Sequence, residues 1–304
     1  MIPPVQGRPR QQPPGARMAR RRAAALLVLA GVVAAVLIVA VVAVRGRGHH
    51  AAPTTTAVAP PPPLRIIFPE GFTRRDMAAR ISAVDRIARR KRHVRPLLSP
   101  RQYLAATVAS LVPARFARDH KRRSLEGFLF PATYDFDATT TTRQLIQAQL
   151  QTFRESWAKI DLSYARSKHL TPYDVLIIAS MVEKEALAPD DRPKIAAVIY
   201  NRLHARMPLG IDATLRYGLN IPGTKSIRRS QLESDNPYNT RKRVGLPPTP
   251  IANPGLASMQ AAAHPARVDY LYFVRKPDKV HHFFTASYRA FVNYEHAHGY
   301  RTTP

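Results

Sequence analysis

The pattern of apolar and polar positions predicts its best-defined helix over residues 171–187, TPYDVLIIASMVEKEAL. Thr171 and Asp174 form a T-x-x-D capping pattern, and Pro172 suits the first helical position. The apolar residues that follow occupy nearly every face, which is typical of a helix buried in a core. The helix ends in Glu183 and Glu185, whose side chains diverge by roughly 200° at about 100° per residue. They do not form a carboxylate pair, and we expect one to point inward while the other meets solvent.

Two interpretations of this helix end are open. Glu185 lies on the stripe of Ile178, Met181 and Val182, and a carboxyl group held against apolar side chains has a raised pKa. Such a group can donate a proton at neutral pH. Charged residues near helix ends, however, are more often simply solvated. The pattern therefore indicates either a general acid or an exposed helix end.

Before this helix, the pattern predicts a short strand over residues 64–68 and a turn over residues 69–71. Thr73 with Asp76 predicts a capped helix over residues 73–84, and Ser99 with Pro100 predicts another over residues 99–111. A third helix is predicted over residues 141–160. The aromatic segment 124–136 contains Glu126, which is either a partly buried acid or an ordinary loop or strand residue.

After this helix, Asp190, Asp191 and Pro193 predict the start of a helix that covers residues 194–206. Helical signals fade from residue 207, and we expect strands over residues 270–274 and 281–285. Dense proline and glycine predict a rigid, surface-lining loop over residues 245–255, and Ser287 begins a closing helix. The predicted fold class is α+β, with helices first and then short strands and shaped loops.

The sequence of the N-terminal region predicts a membrane anchor. Residues 23–44 are 22 uncharged, mostly apolar residues, enough to span a bilayer. A secretory signal peptide is the alternative, but its apolar core is shorter. Six arginines precede the segment and two follow it closely, so we expect a cytoplasmic N-terminus and an extracytoplasmic remainder. We predict a disordered cytoplasmic tail (1–22), a single-pass transmembrane helix in the cell membrane (23–44) and a proline-rich linker (45–63).

The formal net charge is +27, and the first 123 residues contain 24 basic and 4 acidic residues. Such a charge favours polyanions, and the predicted extracytoplasmic location counts against nucleic acid. Three interpretations of the basic region stay open: it contacts anionic lipid, it contacts an acidic wall polymer, or it is only a solvated basic face. The predicted division is a small basic α/β subdomain (64–123) followed by an α+β domain around the buried helix (124–304).

Thiol and metal chemistry find little support in the sequence. The chain has no cysteine, which excludes disulfides, a thiol nucleophile and cysteine-ligated metals. His264, His281 and His282 lack a recognised ligand spacing, so we expect neither a metal nor a cofactor. His281 is expected to form hydrogen bonds within the fold or the cleft.

Several segments occur in a recognisable order: IIFPEGF, EGFLFPATY, ASMVEKEA, AAVIYNRL, MPLGIDATLRYG, NPYNTRKRVGLPPTPIANPG, AAAHPA, YLYFV and H-x-F-x-T. Together they resemble the YceG-like endolytic murein transglycosylases over residues 64–300. The resemblance implies a cell-wall-facing, membrane-anchored enzyme that cuts MurNAc-β-1,4-GlcNAc bonds within nascent peptidoglycan strands. The implied products carry 1,6-anhydro-MurNAc ends, and the implied role is glycan strand termination during wall assembly. The resemblance implies that residues 124–304 are the catalytic domain.

The resemblance also implies site residues. The second glutamate of the EKE motif, Glu185, takes the position of the catalytic acid. The residues that match positions expected to bind substrate or line the cleft are Glu126, Glu183, Asp212, Tyr217, Tyr238, Asn239 and Thr240. The implied partners are glycan strands and the membrane, with peptidoglycan synthases and division proteins nearby.

The sequence departs from the family pattern at several places. The family's DPT is Asp212-Ala213-Thr214 here, Thr249 replaces a glycine in GLPPTPI, and Arg241 stands where an aromatic residue is more typical. The 19-residue linker (45–63) leaves no room for the LysM-like module of many relatives, so the basic region is a candidate substitute.

Three other functions remain as alternatives. The first is a non-catalytic peptidoglycan-binding scaffold of the division machinery. The second is a hydrolase that pairs Glu185 with Asp212 or Glu126, because hydrolytic glycosidases use two carboxylates. The third is a metal enzyme built on the histidines, which their spacing disfavours.

Overall fold

Helices and two short antiparallel sheets make up the computed structural model, which describes residues 63–107, 111–116 and 124–300. Short 3₁₀ turns cover Ala114–Phe116 and Pro189–Asp191. In chain order the elements are β1 (Leu64–Ile67), α1 (Arg74–Arg92), α2 (Pro100–Ala106), β2 (Thr133–Phe136), α3 (Thr142–Trp157), α4 (Ser163–Ser167), α5 (Pro172–Glu185), α6 (Arg192–His204), α7 (Asp212–Gly218), α8 (Arg229–Leu232), α9 (Leu256–Ala263), β3 (Tyr272–Arg275), β4 (His282–Thr285) and α10 (Tyr288–Ala297). The mixture confirms the α+β class.

Helix α5 is the buried helix that the sequence predicts. Thr171 Oγ1 accepts a hydrogen bond from the backbone N–H of Asp174, and Asp174 Oδ2 accepts one from the backbone N–H of Thr171. Residues 175–182 are all buried, and the helix packs against α6 and α9. Full burial of one aliphatic side chain contributes about 2 kcal/mol, so α5 is a main source of stability.

An aromatic cluster fixes the segment that contains Glu126. The ring of Phe128 lies 4.9 Å from Phe116 and 5.2 Å from Phe153, and Phe116 lies 5.2 Å from Trp157. Edge-to-face pairs of this kind add about 1 kcal/mol each beyond burial. The cluster holds the start of the 124–136 segment against α3.

The predicted boundary between residues 123 and 124 falls inside one compact unit, which extends from Pro62 to Pro304. Strand β1 pairs with β2 across it, Leu64 opposite Phe136 and Ile67 opposite Thr133. The described residues on both sides therefore share one sheet and one core. The predicted tail (1–22) and transmembrane helix (23–44) lie outside the described residues, as does nearly all of the linker (45–63).

Caps define the first helices as predicted, but two of their ends differ. Thr73 and Asp76 form a capping box at the start of α1, and Ser99 caps α2. Helix α1 continues to Arg92, beyond the predicted end at residue 84, whereas α2 ends at Ala106. Within residues 63–107, 111–116 and 124–300, none of the helices combines the length and apolar character that a bilayer crossing requires.

Two expectations about the C-terminal half are wrong. Helices α7 and α9 occupy segments where we expected loops and short strands, because tertiary packing stabilises helices too short for a clear periodic pattern. The 245–255 loop does not only line the surface, since residues 250–255 are buried. The start of α6 is as predicted, with Asp191 at the N-cap position, although the Asp191 carboxylate makes no side-chain cap and accepts the backbone N–H of His282 instead.

Candidate active site

The C-terminal end of α5 lies in an open cleft formed by two pockets. Their volumes are about 620 Å³ and about 450 Å³, within the range of about 300–1,000 Å³ usual for ligand sites. Glu185, Asp212 and Arg275 line both pockets, so Glu185 stands where they meet. We call the larger the cationic pocket, which is also lined by Arg75, Lys184, Arg216 and Tyr217. The smaller, the aromatic pocket, is also lined by Tyr272, Tyr288, Phe291 and Glu295.

Glu185 has the environment of a proton donor. Burial raises its pKa to about 7, against the charge of Arg275 and a hydrogen bond from the backbone N–H of Ala213. The charge of Asp212 adds to the rise in pKa. A carboxylic acid with a pKa near the working pH can both release and recover a proton. Of the two interpretations of the helix end, the general acid fits this environment.

Asp212 is the other carboxylate that lines both pockets, and it is held by an ion pair. Its Oδ1 lies 2.8 Å from Nε of Arg241, the residue that departs from the family pattern. The backbone N–H of the next residue, Ala213, lowers the pKa of Glu185. The first turn of α7 therefore presents both an acidic side chain and a hydrogen-bond donor to the catalytic candidate.

Glu126 is buried beneath the cleft and does not line it. The residue is 2% exposed, and its carboxylate accepts hydrogen bonds from the backbone N–H of Arg74 (3.1 Å), from Tyr217 Oη (3.1 Å) and from Asn253 Nδ2 (2.9 Å). Burial raises its pKa to about 7 although these donors oppose the rise. The expectation of a cleft-lining Glu126 is therefore corrected: it joins three segments that support the cleft.

The two predicted tyrosines occupy different positions. Tyr217 lines the cationic pocket, and the ring of Tyr238 packs edge-on against it at 5.2 Å. Tyr238 Oη lies 2.8 Å from Oγ1 of Thr249, another departure from the family pattern. Tyr238 thus positions Tyr217 from outside the two pockets.

Asn239 and Thr240 also support the cleft, although the sequence analysis expected them to line it. Asn239 is fully buried, and its Nδ2 donates to the carbonyl oxygens of Leu232 and Ser234. Thr240 Oγ1 accepts the backbone N–H of Ile211 at 3.1 Å. Their polar groups are satisfied within the protein, where they hold the start of α7.

Glu183 points away from Glu185, as the helical geometry predicts, but it does not line the cleft. Its Oε2 accepts the backbone N–H of Gly255 at 3.0 Å, on the side of α5 that faces Glu70. Burial first, and then the charge of Glu183, raise the pKa of Glu70. Both glutamates of the motif are partly buried, and Glu185 is the one that faces the open cleft.

The histidines have protein partners. His281 Nδ1 lies 2.9 Å from the Asp278 carboxylate, as expected for a hydrogen bond within the fold. His282 is buried with its Nδ1 3.0 Å from Asp191, and burial lowers its pKa against the effect of that carboxylate. Within the part of the chain that the structure describes, no group of three or more potential metal ligands occurs.

Sequence reasoning did not identify Arg275, the aromatic residues of α10 or Asn253. Arg275 faces His282 in the β3–β4 register, and its guanidinium donates to the carbonyl oxygen of Glu185 at the end of α5. The aromatic spacing of Tyr288 and Phe291 was the available signal for one face of α10. Asn253 carried no local signal, because its main partners are distant in sequence.

A carboxyl group with a raised pKa lies where the two pockets of an open cleft meet, an arrangement suited to acid–base catalysis. The chain belongs to the YceG-like family, whose model matches residues 50–296.

Curated relatives are similar over half of this chain. An endolytic murein transglycosylase of Bacillus subtilis (strain 168) is 42% identical over 156 residues, which are 51% of this chain and 43% of the relative. One from Streptococcus pneumoniae (strain ATCC BAA-255 / R6) is 39% identical over 158 residues, 50% of this chain and 28% of the relative. The chain thus matches less than half the length of these relatives.

A solved structure is similar over more of the chain. The crystal structure of a yceG-like protein from Listeria monocytogenes superposes with a TM-score of 0.61 at 31% identity. The match covers 76% of each chain, so it includes most of the compact unit.

Proposed function

We propose that this protein is a peptidoglycan lytic transglycosylase that cuts MurNAc-β-1,4-GlcNAc bonds within glycan strands, with Glu185 as the only catalytic acid and base. The observation that carries the proposal is one partly buried carboxyl group, with a pKa of about 7, at the junction of the two pockets. Membership of the YceG-like family and the named activity of the curated relatives support the same reaction.

The reaction needs no second carboxylate. Protonated Glu185 gives its proton to the glycosidic oxygen, the bond from C1 to that oxygen breaks, and positive charge develops at C1. The 6-hydroxyl oxygen of the same MurNAc then bonds to C1 and returns its proton to Glu185. The products are a 1,6-anhydro-MurNAc end and a free 4-hydroxyl on the next sugar, and no water is consumed.

The neighbours of Glu185 suit both halves of this cycle. Burial favours the neutral acid that begins the reaction. The charge of Arg275 and the Ala213 N–H favour the carboxylate that exists midway through it. A pKa near neutrality balances the two roles.

The alternative of a two-carboxylate hydrolase is less well supported. Glu126 is 2% exposed and bonded to three donors, so it has little access to substrate or water. Asp212 is paired with Arg241 at 2.8 Å, although it does line the cleft. Activation of a water needs a free carboxylate on the opposite side of the sugar, and neither residue fits that role as well as Glu185 fits acid catalysis.

We also propose a location and partners. The apolar segment 23–44 and the surrounding arginines support a single-pass anchor with a cytoplasmic N-terminus and an extracytoplasmic enzyme. An anchored enzyme of this kind acts on nascent strands, and peptidoglycan synthases and division proteins are its expected neighbours. Its role is to terminate glycan strands during wall assembly.

The test compares Glu185→Gln with Glu183→Gln in the full chain. Both changes remove one carboxylate from the same helix end, but only the first alters the cleft. We expect folded Glu185→Gln to release no fragments from purified peptidoglycan and Glu183→Gln to retain wild-type activity. Normal cleavage by Glu185→Gln would contradict the assignment. A folded wild-type protein that binds but never cuts peptidoglycan would support the scaffold alternative.

A further inference from the structure

The cationic pocket is lined by four positive side chains, one of which, Arg275, acts on Glu185 through its charge. Arg75 donates to the Asn220 side-chain oxygen at 2.7 Å, and Lys184 donates to the carbonyl oxygen of Gly71 at 3.2 Å. Arg216 and Arg275 likewise donate to backbone carbonyl oxygens. Among the described residues, none of the four has a carboxylate within ion-pair distance.

The acids of this pocket are already engaged. Asp76 belongs to the capping box of α1, and Asp212 pairs with Arg241. Glu185 enters the proposed reaction as the neutral acid. The pocket therefore presents positive charge to whatever binds there, which favours a ligand with carboxylates.

The aromatic pocket is lined by arginines too, but it differs in its rings. Arg241 is paired with Asp212, Arg275 is shared with the cationic pocket, and Arg202 lies over the Tyr272 ring at 5.3 Å. The rings of Tyr272, Tyr288 and Phe291 form a cluster, with Tyr272 5.5 Å from Tyr288 and 5.4 Å from Phe291. Tyr288 is 56% exposed, so part of its ring remains open to a ligand. Glu295 also lines this pocket, and its buried Oε2 has no hydrogen-bond partner among the described residues.

An aromatic platform beside a hydrogen-bond acceptor fits a neutral sugar. One face of a pyranose ring carries C–H groups that pack against aromatic rings, while its hydroxyl and acetamido groups donate hydrogen bonds. The two pockets thus differ in the chemistry that they can recognise, and Glu185 stands between them.

The substrate has the same asymmetry across the bond that is cut. On the C1 side is MurNAc, whose stem peptide carries carboxylates, and on the other side is uncharged GlcNAc. We propose that the strand crosses the cleft in one orientation, with the peptide-bearing MurNAc in the cationic pocket and the leaving GlcNAc in the aromatic pocket. The orientation rests on the proposed function, since it assumes cleavage between these two sugars.

Calorimetric binding tests this orientation without turnover. The protein is the full chain with Glu185→Gln, and the probes are neutral tetra-N-acetylchitotetraose and a MurNAc stem pentapeptide. We expect an added Tyr288→Ala to weaken tetrasaccharide binding about tenfold and MurNAc-peptide binding less than about twofold. Tyr288→Phe keeps the ring and is expected to retain the affinity.

A variant in the cationic pocket is expected to show the opposite selectivity between the two probes. Arg75→Ala, an exposed position, is expected to weaken MurNAc-peptide binding about fivefold at low salt, with the difference fading as salt rises. Tetrasaccharide binding is expected to stay unchanged. Equal effects on both probes, the reverse pattern, or no binding of either probe to folded protein would overturn the orientation.

The outcome is separable from that of the proposed function. If the binding pattern holds but wild-type protein makes no anhydro ends, the reaction is wrong and the assignment of the two pockets remains. If anhydro ends form but the binding pattern is reversed, only the orientation is wrong.

Discussion

Replacing Glu126 by glutamine is expected to remove part of the pH dependence of folding stability. Glu126 is a buried carboxylate whose pKa is raised from 4.5 to about 7, with burial as the main cause. The folded state therefore holds this proton more tightly than the unfolded state does. The stability is greatest below about pH 4.5 and falls as the pH rises through about 7, because folding must then bury the charged form.

The size of the effect follows from the pKa values. Each pH unit of difference between the folded and unfolded pKa corresponds to about 1.4 kcal/mol, so ionisation of Glu126 costs the folded state about 3 kcal/mol. Glutamine avoids this cost. Its oxygen can keep the bonds from Arg74 and Asn253, and its amide can donate to Tyr217 Oη, which then accepts.

The assay is urea unfolding of wild type and Glu126→Gln between about pH 5 and about pH 8. We expect Glu126→Gln to gain stability relative to wild type as the pH rises, by up to about 3 kcal/mol. Glu126→Ala is the control for lost hydrogen bonds, since it leaves three buried donors without an acceptor. Relative to wild type it is expected to lose about 3–5 kcal/mol near pH 5 and less as the pH rises, because it too lacks the ionisable group. Parallel pH profiles for wild type and Glu126→Gln would refute the reasoning.

Three further predictions concern the acid and the buried turn. The kcat/KM for peptidoglycan is expected to be constant below about pH 7 and to fall about tenfold per pH unit above it, as Glu185 ionises; a flat alkaline limb would contradict this. Gly127→Ala is expected to lower the melting temperature by several degrees, because Gly127 has φ +90° and an added Cβ would lie 2.7 Å from Pro250. Gly223→Ala is the control: an added Cβ at Gly223 meets open space, so the melting temperature should stay unchanged. Asn253→Ala is expected to destabilise the protein by about 3 kcal/mol and to speed hydrogen exchange at the Gly127 amide, and unchanged exchange there would count against this role.

Local patterns predicted the parts of the fold whose partners are close in sequence. Thr73 with Asp76 and Thr171 with Asp174 are three residues apart, so both capping boxes could be predicted directly. The divergence of Glu183 and Glu185 follows in the same way from helical geometry. The pattern therefore predicted the geometry of the end of α5, whereas only the resemblance to the YceG-like family singled out Glu185.

Features of the structure that depend on contacts distant in sequence could not be predicted from local patterns. Asn253 reaches Glu126 across 127 positions, and no local signal marks such a pair. The family resemblance implied that Asn239 binds substrate, yet its side-chain amide donates to the carbonyl oxygens of Leu232 and Ser234. The pairing of β1 with β2 joins strand partners about 70 residues apart across the division predicted at residues 123 and 124, and no local signal marks such a pairing.

The most direct test of the central claim is mass spectrometry of the glycan ends that the full-length wild-type protein makes in water enriched in heavy oxygen. If the 6-hydroxyl of MurNAc attacks C1, the new ends are lighter than reducing ends by one water and contain no heavy oxygen. We expect this result, and we expect no such ends from Glu185→Gln. Reducing ends that carry one heavy oxygen would show that water is the nucleophile, and would contradict a transglycosylase with a single carboxyl group.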